Sequence, residues 1–328
     1  MNTTPLLAVD NMSVSFRARD ESLIPVVREV SLEVGRREVV GLVGESGSGK
    51  TVTSLAAMGL LDENAVVRGR LTLGDTELLS LSRRQWEGVR GKRLAMIFQD
   101  PIGSLNPVFS VGRQVEEALE HAGEYTKAER RQKVLEYFRR VGIVHPEARY
   151  RDYPHTLSGG MSQRVAIAMA LAGNPDLLIA DEPTTALDVT IQAQILELLL
   201  SLRDDPGLSI LLITHDLGVV AEYCDSVYVM YAGRIVERGP VRSVFAAPAH
   251  VYTKGLLASV PSTKTAGRPL QPIAGTVPGL REIPEGCPFY MRCPIRLSVC
   301  ETEMPDDTVV ADGHAAACHK LTVTGDAV

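Results

Sequence analysis

The run Gly44-Glu45-Ser46-Gly47-Ser48-Gly49-Lys50-Thr51 specifies a chemistry by its residue types and their spacing. It matches the phosphate-binding pattern G-x-x-x-x-G-K-S/T without a mismatch. Its glycines let the backbone curl so that successive N–H groups face one anion. A helix starting here adds its positive N-terminal end. Lys50 is then placed to reach the β- and γ-phosphates of a nucleoside triphosphate, and Thr51 to set its hydroxyl on Mg²⁺. Glu38 to Val43 reads as a buried strand before the run, and Thr53 to Leu61 as the start of a helix after it. That context separates a phosphate loop from a glycine-rich corner.

A second constellation is Leu177-Leu178-Ile179-Ala180-Asp181-Glu182, an apolar strand that runs into two acids. Asp181 could hold Mg²⁺ through water. Glu182, on the other face of the strand end, could polarise the water that attacks a γ-phosphate. Alone, the pair also reads as a solvated strand end; downstream of a phosphate loop, the chemical reading gains weight. A third is Leu157-Ser158-Gly159-Gly160-Met161-Ser162-Gln163-Arg164, with two glycines at a helix start. It reads either as a serine N-cap with a glycine turn or as a second anion site. One nucleotide rarely needs two such sites in one chain, so the economical expectation is a dimer in which this loop caps the γ-phosphate held by the partner. Phe16 is a candidate for stacking on adenine, or an ordinary core phenylalanine.

The elements that position these residues read as an α/β chain. Alternating apolar segments over Leu6–Val9, Met12–Phe16 and Val30–Val34 predict a small antiparallel sheet, continued by Arg70 to Asp75. Strands are expected at 93–98, 177–180, 210–214 and 227–231, with helices at 161–172 and 191–202, which predicts a mostly parallel sheet covered by helices. The span from Val111 to Val141 turns helical, with Val134, Leu135, Phe138 and Val141 on one face. An all-helical insertion of about residues 105–173 therefore interrupts the parallel core. Beyond about residue 245, Pro248, Pro261, Pro269, Pro272, Pro278, Pro284, Pro288 and Pro294 punctuate a tail with little periodicity. That reads as an irregular appendage, dividing the chain into a domain of residues 1–245 and a tail of 246–328.

Composition narrows the function classes. Of 328 residues, 45% are apolar, as in ordinary globular proteins, and the formal net charge is −6 with no basic run. That argues against nucleic acid as the main partner. The N-terminus lacks the basic start of a signal peptide, and no apolar run approaches the roughly 18 residues of a membrane helix. The expectation is a cytoplasmic chain whose membrane contact goes through a partner. Four of the five cysteines crowd into the last 45 residues, which in a reducing compartment suggests metal or cluster ligation before disulfides.

Together these motifs resemble the nucleotide-binding subunit of an ATP-binding cassette (ABC) transporter, over about residues 5–245 and in the expected order. The phosphate loop corresponds to Walker A, Gln99 to the Q-loop, Leu157–Gln163 to the signature and Asp181-Glu182 to Walker B with the catalytic glutamate. Thr185-Ala186-Leu187-Asp188 resembles the D-loop, with Thr where Ser is commoner, and His215 the switch histidine. The resemblance implies ATP and Mg²⁺, with Thr51, Gln99 and Asp181 toward the metal. It makes Glu182, His215 and Gln99 the catalytic set, and Ser158, Gly159, Gly160, Gln163 and Asp188 further nucleotide contacts. Phe98-Gln99-Asp100-Pro101, Ser104-Leu105-Asn106-Pro107, Tyr153-Pro154-His155 and the run from Ala180 to Thr190 narrow it to dipeptide and oligopeptide importers, a family that includes nickel importers. The D-type ATPase of dipeptide importers is most similar. The implied partners are a related second ATPase, two membrane permease subunits and, indirectly, an extracytoplasmic binding protein. The implied location is peripheral, on the cytoplasmic face of the inner membrane. A soluble ABC ATPase acting on DNA or ribosomes would carry a coiled-coil insertion or two cassettes, and neither is present. A subunit that no longer hydrolyses ATP is at odds with intact Glu182 and His215.

The tail cysteines Cys287, Cys293, Cys300 and Cys318 are separated by five, six and seventeen residues, too wide for a C-x-x-C zinc ribbon. In some members of the family a tail of this pattern ligates a four-iron–four-sulfur (4Fe–4S) cluster. Four thiolates suit that cluster or tetrahedral zinc, and unliganded thiols are the third option. Cys224 reads as a small apolar residue.

Overall fold

Two short apolar runs, Val39–Val43 and Leu177–Asp181, are buried at every position, the pattern of strands covered on both faces. The computed structural model describes residues 4–123, 125–185, 187–203, 207–260 and 273–324. Ala186 of the 180–190 motif and the tail residues Pro261, Pro269 and Pro272 lie outside the described residues. In chain order the elements are β1 (Leu7–Arg17), β2 (Leu23–Val34), β3 (Val39–Val43), α1 (Lys50–Ala57), β4 (Ala65–Leu73), β5 (Thr76–Glu77), α2 (Arg83–Trp86), β6 (Leu94–Ile97), α3 (Val111–Ala122), α4 (Lys127–Arg140), α5 (Pro146–Arg149) and α6 (Gly159–Leu171). They continue as β7 (Leu177–Asp181), α7 (Val189–Arg203), β8 (Ser209–Thr214), α8 (Leu217–Tyr223), β9 (Ser226–Tyr231), β10 (Arg234–Pro240), α9 (Val241–Ala246), α10 (Val251–Ala258), β11 (Asp307–Ala311), β12 (His314–Ala317) and α11 (His319–Thr324). They group into two compact units, one of residues up to 7, 34–38 and 80–213, the other of 8–33, 39–79 and 214 onward.

The first unit holds three parallel strands in the order β8-β7-β6, with Leu94 opposite Leu177 and Leu178 opposite Ile210. All three are buried along their length, so the acids that end β7 leave a fixed platform. In the helical part, α3 buries Val111, Val115 and Leu119 at four-residue spacing, and α4 buries Val134, Leu135 and Phe138. The helix expected from Val111 to Val141 is two. The chain leaves the helix at Gly123, which is extended (φ −171°), and α4 restarts behind Thr126. The Thr126 side chain accepts from the Glu129 N–H at 3.3 Å, and Glu129 Oε2 accepts from the Thr126 N–H at 2.7 Å. This is a capping box that outcompetes continuation of the helix. At the start of α6, a Cβ on Gly160 would stand 2.7 Å from Ile191 Cγ2 on α7. Only glycine lets these two helix starts approach so closely.

The second unit contains a small antiparallel sheet in the order β2-β1-β4-β5 and a second sheet in the order β11-β12-β10-β9-β3. In the latter β3 and β9 are parallel, while β9/β10, β10/β12 and β11/β12 are antiparallel. The tail is thus less irregular than its prolines suggested. Its last part is a hairpin that docks on β10, pairing Ala316 with Glu237 and Ala315 with Arg238. The sequence His-Ala-Ala-Ala of β12 carries no strand signal; pairing with a neighbour makes it a strand.

A register shift between Ile235 and Glu237 interrupts β10, and Glu237 there is 1% exposed. Its carboxylate accepts from the Ala249 and His250 N–H groups at 2.7 and 2.9 Å and lies 2.7 Å from His314 Nε2. His250 then caps α10, its Nδ1 accepting from the Tyr252 N–H at 3.1 Å. Burial pulls the His250 imidazole down from 6.5 to about 4, with Lys254 adding to the effect.

Two predictions follow from this packing. Because His250 is held neutral when folded, its share of stability is full above its unfolded value and is lost as pH falls from 6.5 toward 4. Replacing His250 with Asn keeps an N-cap acceptor without the titration. Between pH 7 and pH 5 that variant is expected to lose about 1–2 kcal/mol less than the native chain, read from urea midpoints. In the first unit, Gly160→Ala is expected to cost about 1–3 kcal/mol by overpacking, and less than half of that in an Ile191→Ala background.

Candidate nucleotide site

In the second unit, residues 44–51 join β3 to α1. A Cβ on Gly44 would meet the Met230 carbonyl oxygen at 2.1 Å, so no side chain fits there. Gly49 adopts a left-handed backbone (φ 105°) as the N-cap residue, and α1 begins without a side-chain cap. Its first N–H groups are therefore available to an anion. The Ser48 hydroxyl is buried and has no hydrogen-bond partner among the described residues. A bare curled backbone, uncapped N–H groups and an orphaned hydroxyl suit a polyphosphate. Lys50 is 6% exposed and donates to the Gly44 and Glu45 carbonyls at 2.8 and 3.1 Å, which keeps its ammonium against the loop. Ser46, Gly47 and Thr51 are exposed, Phe16 is half-buried on β1, and His215 is exposed immediately after β8. Asp216 caps α8, accepting from the Gly218 N–H at 2.7 Å.

In the first unit, Asp181 ends β7 at 1% exposed. Glu182 follows with φ 46°, a left-handed backbone that a non-glycine residue adopts at a cost of about 1 kcal/mol or more. Its N–H donates to the Ile213 carbonyl at 2.9 Å. Its Oε2 accepts from Gln99 Nε2 at 3.1 Å and from Thr185 Oγ1 at 2.9 Å. Gln99, which the resemblance places toward the metal and in the catalytic set, meets the glutamate. Thr185, from sequence a variant D-loop residue, donates its hydroxyl to Glu182 and orients it. The signature serine, Ser158, caps α6 by accepting from the Met161 N–H at 3.4 Å. Gly159 and Gly160 follow it, and a Cβ on Gly159 would stand 3.3 Å from Leu187 Cδ2. Gln163 is fully buried, and neither amide atom has a hydrogen-bond partner among the described residues. Asp188 is exposed, and its Oδ1 accepts from the Ile191 N–H at 3.0 Å at the start of α7.

Two tail residues that the sequence does not mark as site residues also touch the phosphate loop. The Arg292 guanidinium pairs with both carboxylate oxygens of Glu45, and the Tyr252 hydroxyl accepts from the Glu45 N–H at 2.9 Å.

Of the tail cysteines, Cys287 and Cys300 are buried and Cys293 and Cys318 half-buried. Burial pushes the Cys287 thiol up to about 12; the Phe289 N–H opposes this, and Cys300, Cys318 and Cys293 add to it. Burial likewise raises Cys293 and Cys318, against N–H groups of Ile295 and of Lys320 and Leu321 respectively. The four sulfurs therefore lie within electrostatic reach of one another, with backbone N–H groups aimed at three of them. Among the described residues no group of three or more His, Cys, Asp or Glu is placed to hold a metal ion. Four thiolates are the donor set of a 4Fe–4S cluster and equally of tetrahedral zinc. Cys224, pushed up to about 12 by burial, packs near Gly41 and stands outside this set.

The chain matches the ABC transporter family model over residues 27–185 and the model for the C-terminal region of oligopeptide/dipeptide transporters over residues 236–300. It is 50% identical to a probable peptide ABC transporter ATP-binding protein of Sinorhizobium fredii, over 95% of this chain and 94% of the relative. It is 48% identical to the dipeptide transport ATP-binding protein DppD of Bacillus subtilis, again over 95% and 94%. Among solved structures, a dimeric ATP-binding cassette in a post-hydrolysis state with ADP and phosphate superposes with a TM-score of 0.64 at 26% identity, covering 72% of this chain and 99% of that one. The chain belongs to the ATP-binding cassette family, among the ATP-binding proteins of dipeptide and oligopeptide transporters.

Proposed function

We propose that this ATPase powers the uptake of dipeptides or oligopeptides by closing onto a related second cassette over two ATP molecules. The functional divisions are the cassette of residues 1–245, its helical insertion of about 105–173 and the tail of 246–328. Residues 44–51 hold the phosphates, with Lys50 on the outer two. Thr51, Gln99 and Asp181 hold Mg²⁺, which offsets phosphate charge when bound. Phe16 lies against the adenine. Glu182 takes the proton of the attacking water, and His215 donates a hydrogen bond to the γ-phosphate. Ser158, Gly159, Gly160 and Asp188 act on the nucleotide of the partner; Gln163, expected from sequence among them, is fully buried within α6 and does not reach it directly. The chain works from the cytoplasmic face of the membrane, through two permease subunits fed by an extracytoplasmic binding protein. The names of its relatives support this placement, and among the described residues no helix is long and apolar enough to cross a membrane.

The observation that carries the chemistry is the Glu182 carboxylate, held by Gln99 and Thr185 at the end of a buried strand. Glu182→Gln is expected to keep ATP binding and to lower turnover by about 10²–10⁴-fold, leaving ATP trapped. Turnover at the native rate would remove Glu182 from the role.

Cys287, Cys293, Cys300 and Cys318 hold a 4Fe–4S cluster in the tail. Protein prepared without oxygen is expected to absorb at about 400 nm, and Cys287→Ser with Cys293→Ser to bleach that band. A colourless native preparation overturns the cluster.

A further inference from the structure

We propose that Arg292 and Tyr252, both from the tail, are positioning residues for the phosphate loop, so that the tail sets the affinity for ATP. This rests on the reading of residues 44–51 as the ATP phosphate site. The Glu45 peptide is held from three directions. Its N–H donates to Tyr252 Oη at 2.9 Å. Its carbonyl accepts from Lys50 Nζ at 3.1 Å. Its carboxylate takes the Arg292 fork, with Nη1 at 2.6 Å from Oε2 and Nη2 at 3.2 Å from Oε1.

This is not a surface ion pair. The Arg292 side chain is 4% exposed and the Glu45 side chain 30%. The guanidinium is fixed on its other side as well: Nε donates to the Ala274 carbonyl at 2.9 Å and Nη2 to the Ile273 carbonyl at 3.3 Å. Its carbon lies 5.8 and 5.9 Å from the ring centroids of Tyr231 and Phe289. Tyr252 is fully buried, its ring 4.7 Å from that of Tyr231 and 5.5 Å from that of Phe289. Both contacts to Glu45 therefore come from one packed aromatic block.

The link to function runs through Lys50. Its ammonium rests on the Gly44 and Glu45 carbonyls, so a shift of the Glu45 peptide moves the support of the lysine that reaches the phosphates. A bidentate charge-assisted pair fixes direction as well as distance. Misplacing binding groups by about 1 Å can cost up to about 10²-fold.

The test measures binding of a fluorescent ATP analogue to the full-length chain, together with KM and kcat for ATP in the assembled transporter. Arg292→Met is expected to weaken binding and raise KM about tenfold, with kcat at saturating ATP changed less than about twofold. Arg292→Lys should fall between, because it keeps charge and loses the fork. Glu45→Gln leaves the tail intact and should reproduce the Arg292→Met effect, and the double variant should be no worse than either single one. Tyr252→Phe deletes one oxygen and should weaken binding about threefold. If Arg292→Met does not fold, Glu45→Gln and Tyr252→Phe decide the matter. Native affinity in those variants would overturn the positioning role and leave the ATP site standing. A native chain that fails to bind the analogue would overturn both.

Discussion

A phosphate loop binds through its main chain, so its curl must exist before the ligand arrives, and that constraint organises the second unit. The glycines carry nothing to pack, so the bonds from Lys50 and from the Ser48 N–H to loop carbonyls do not hold the curl by themselves. It is supported from outside, by the turn that follows β9. The Met230 carbonyl occupies the space a Gly44 side chain would need. The Gly233 N–H donates to the Ser48 carbonyl at 2.8 Å, and the Gly233 carbonyl accepts from the Arg28 N–H at 2.8 Å, which ties the same turn to β2. The parallel pairing of Gly41 with Val227 and Val43 with Val229 sets the height of that turn relative to the loop. Preorganised N–H groups then need no reorganisation when charge is bound.

The first unit meets a different demand. In the proposed role of Glu182 as general base its carboxylate must face the reacting water, yet a strand end naturally alternates its side chains up and down. The left-handed backbone at Glu182 breaks that alternation. Its cost is sustained because β7 is buried on both faces and the Glu182 N–H is tied to the neighbouring β8 through the Ile213 carbonyl. Gln99 and Thr185 then choose one rotamer of the carboxylate. Two polar side chains from separate loops thus aim one acid, and the strain lies where the chemistry is expected.

Much of this was legible in the sequence, for reasons that differ by element. Strands β3, β7 and β8 are short continuous apolar runs, and burial on both faces leaves no other reading. The phosphate loop and the two acids are local patterns, so their residues could be named individually. The break at Gly123 is legible only in Thr126-x-x-Glu129, which fits a new helix start, whereas the helix-forming composition on either side reads as one span. Thr185, Tyr252 and Arg292 were illegible as site residues. Their partners lie 3, 207 and 247 positions away, and no spacing rule connects an arginine in a cysteine-rich tail to a loop near the N-terminus. The strand β12 was hidden for a similar reason, its conformation being set by a distant neighbour.

That hairpin has a consequence beyond its own packing. By pairing with β10, it covers a row of main-chain donors and acceptors that would otherwise face water. The sheet ends instead on β11, which is short, alternately exposed and carries Asp307 paired with Arg238 at 2.8 Å. Charged, abbreviated margins of this kind resist recruitment of foreign strands. A chain clipped ahead of residue 307 would present β10 as a naked template, so the last turn of the tail also keeps neighbouring copies from zipping together.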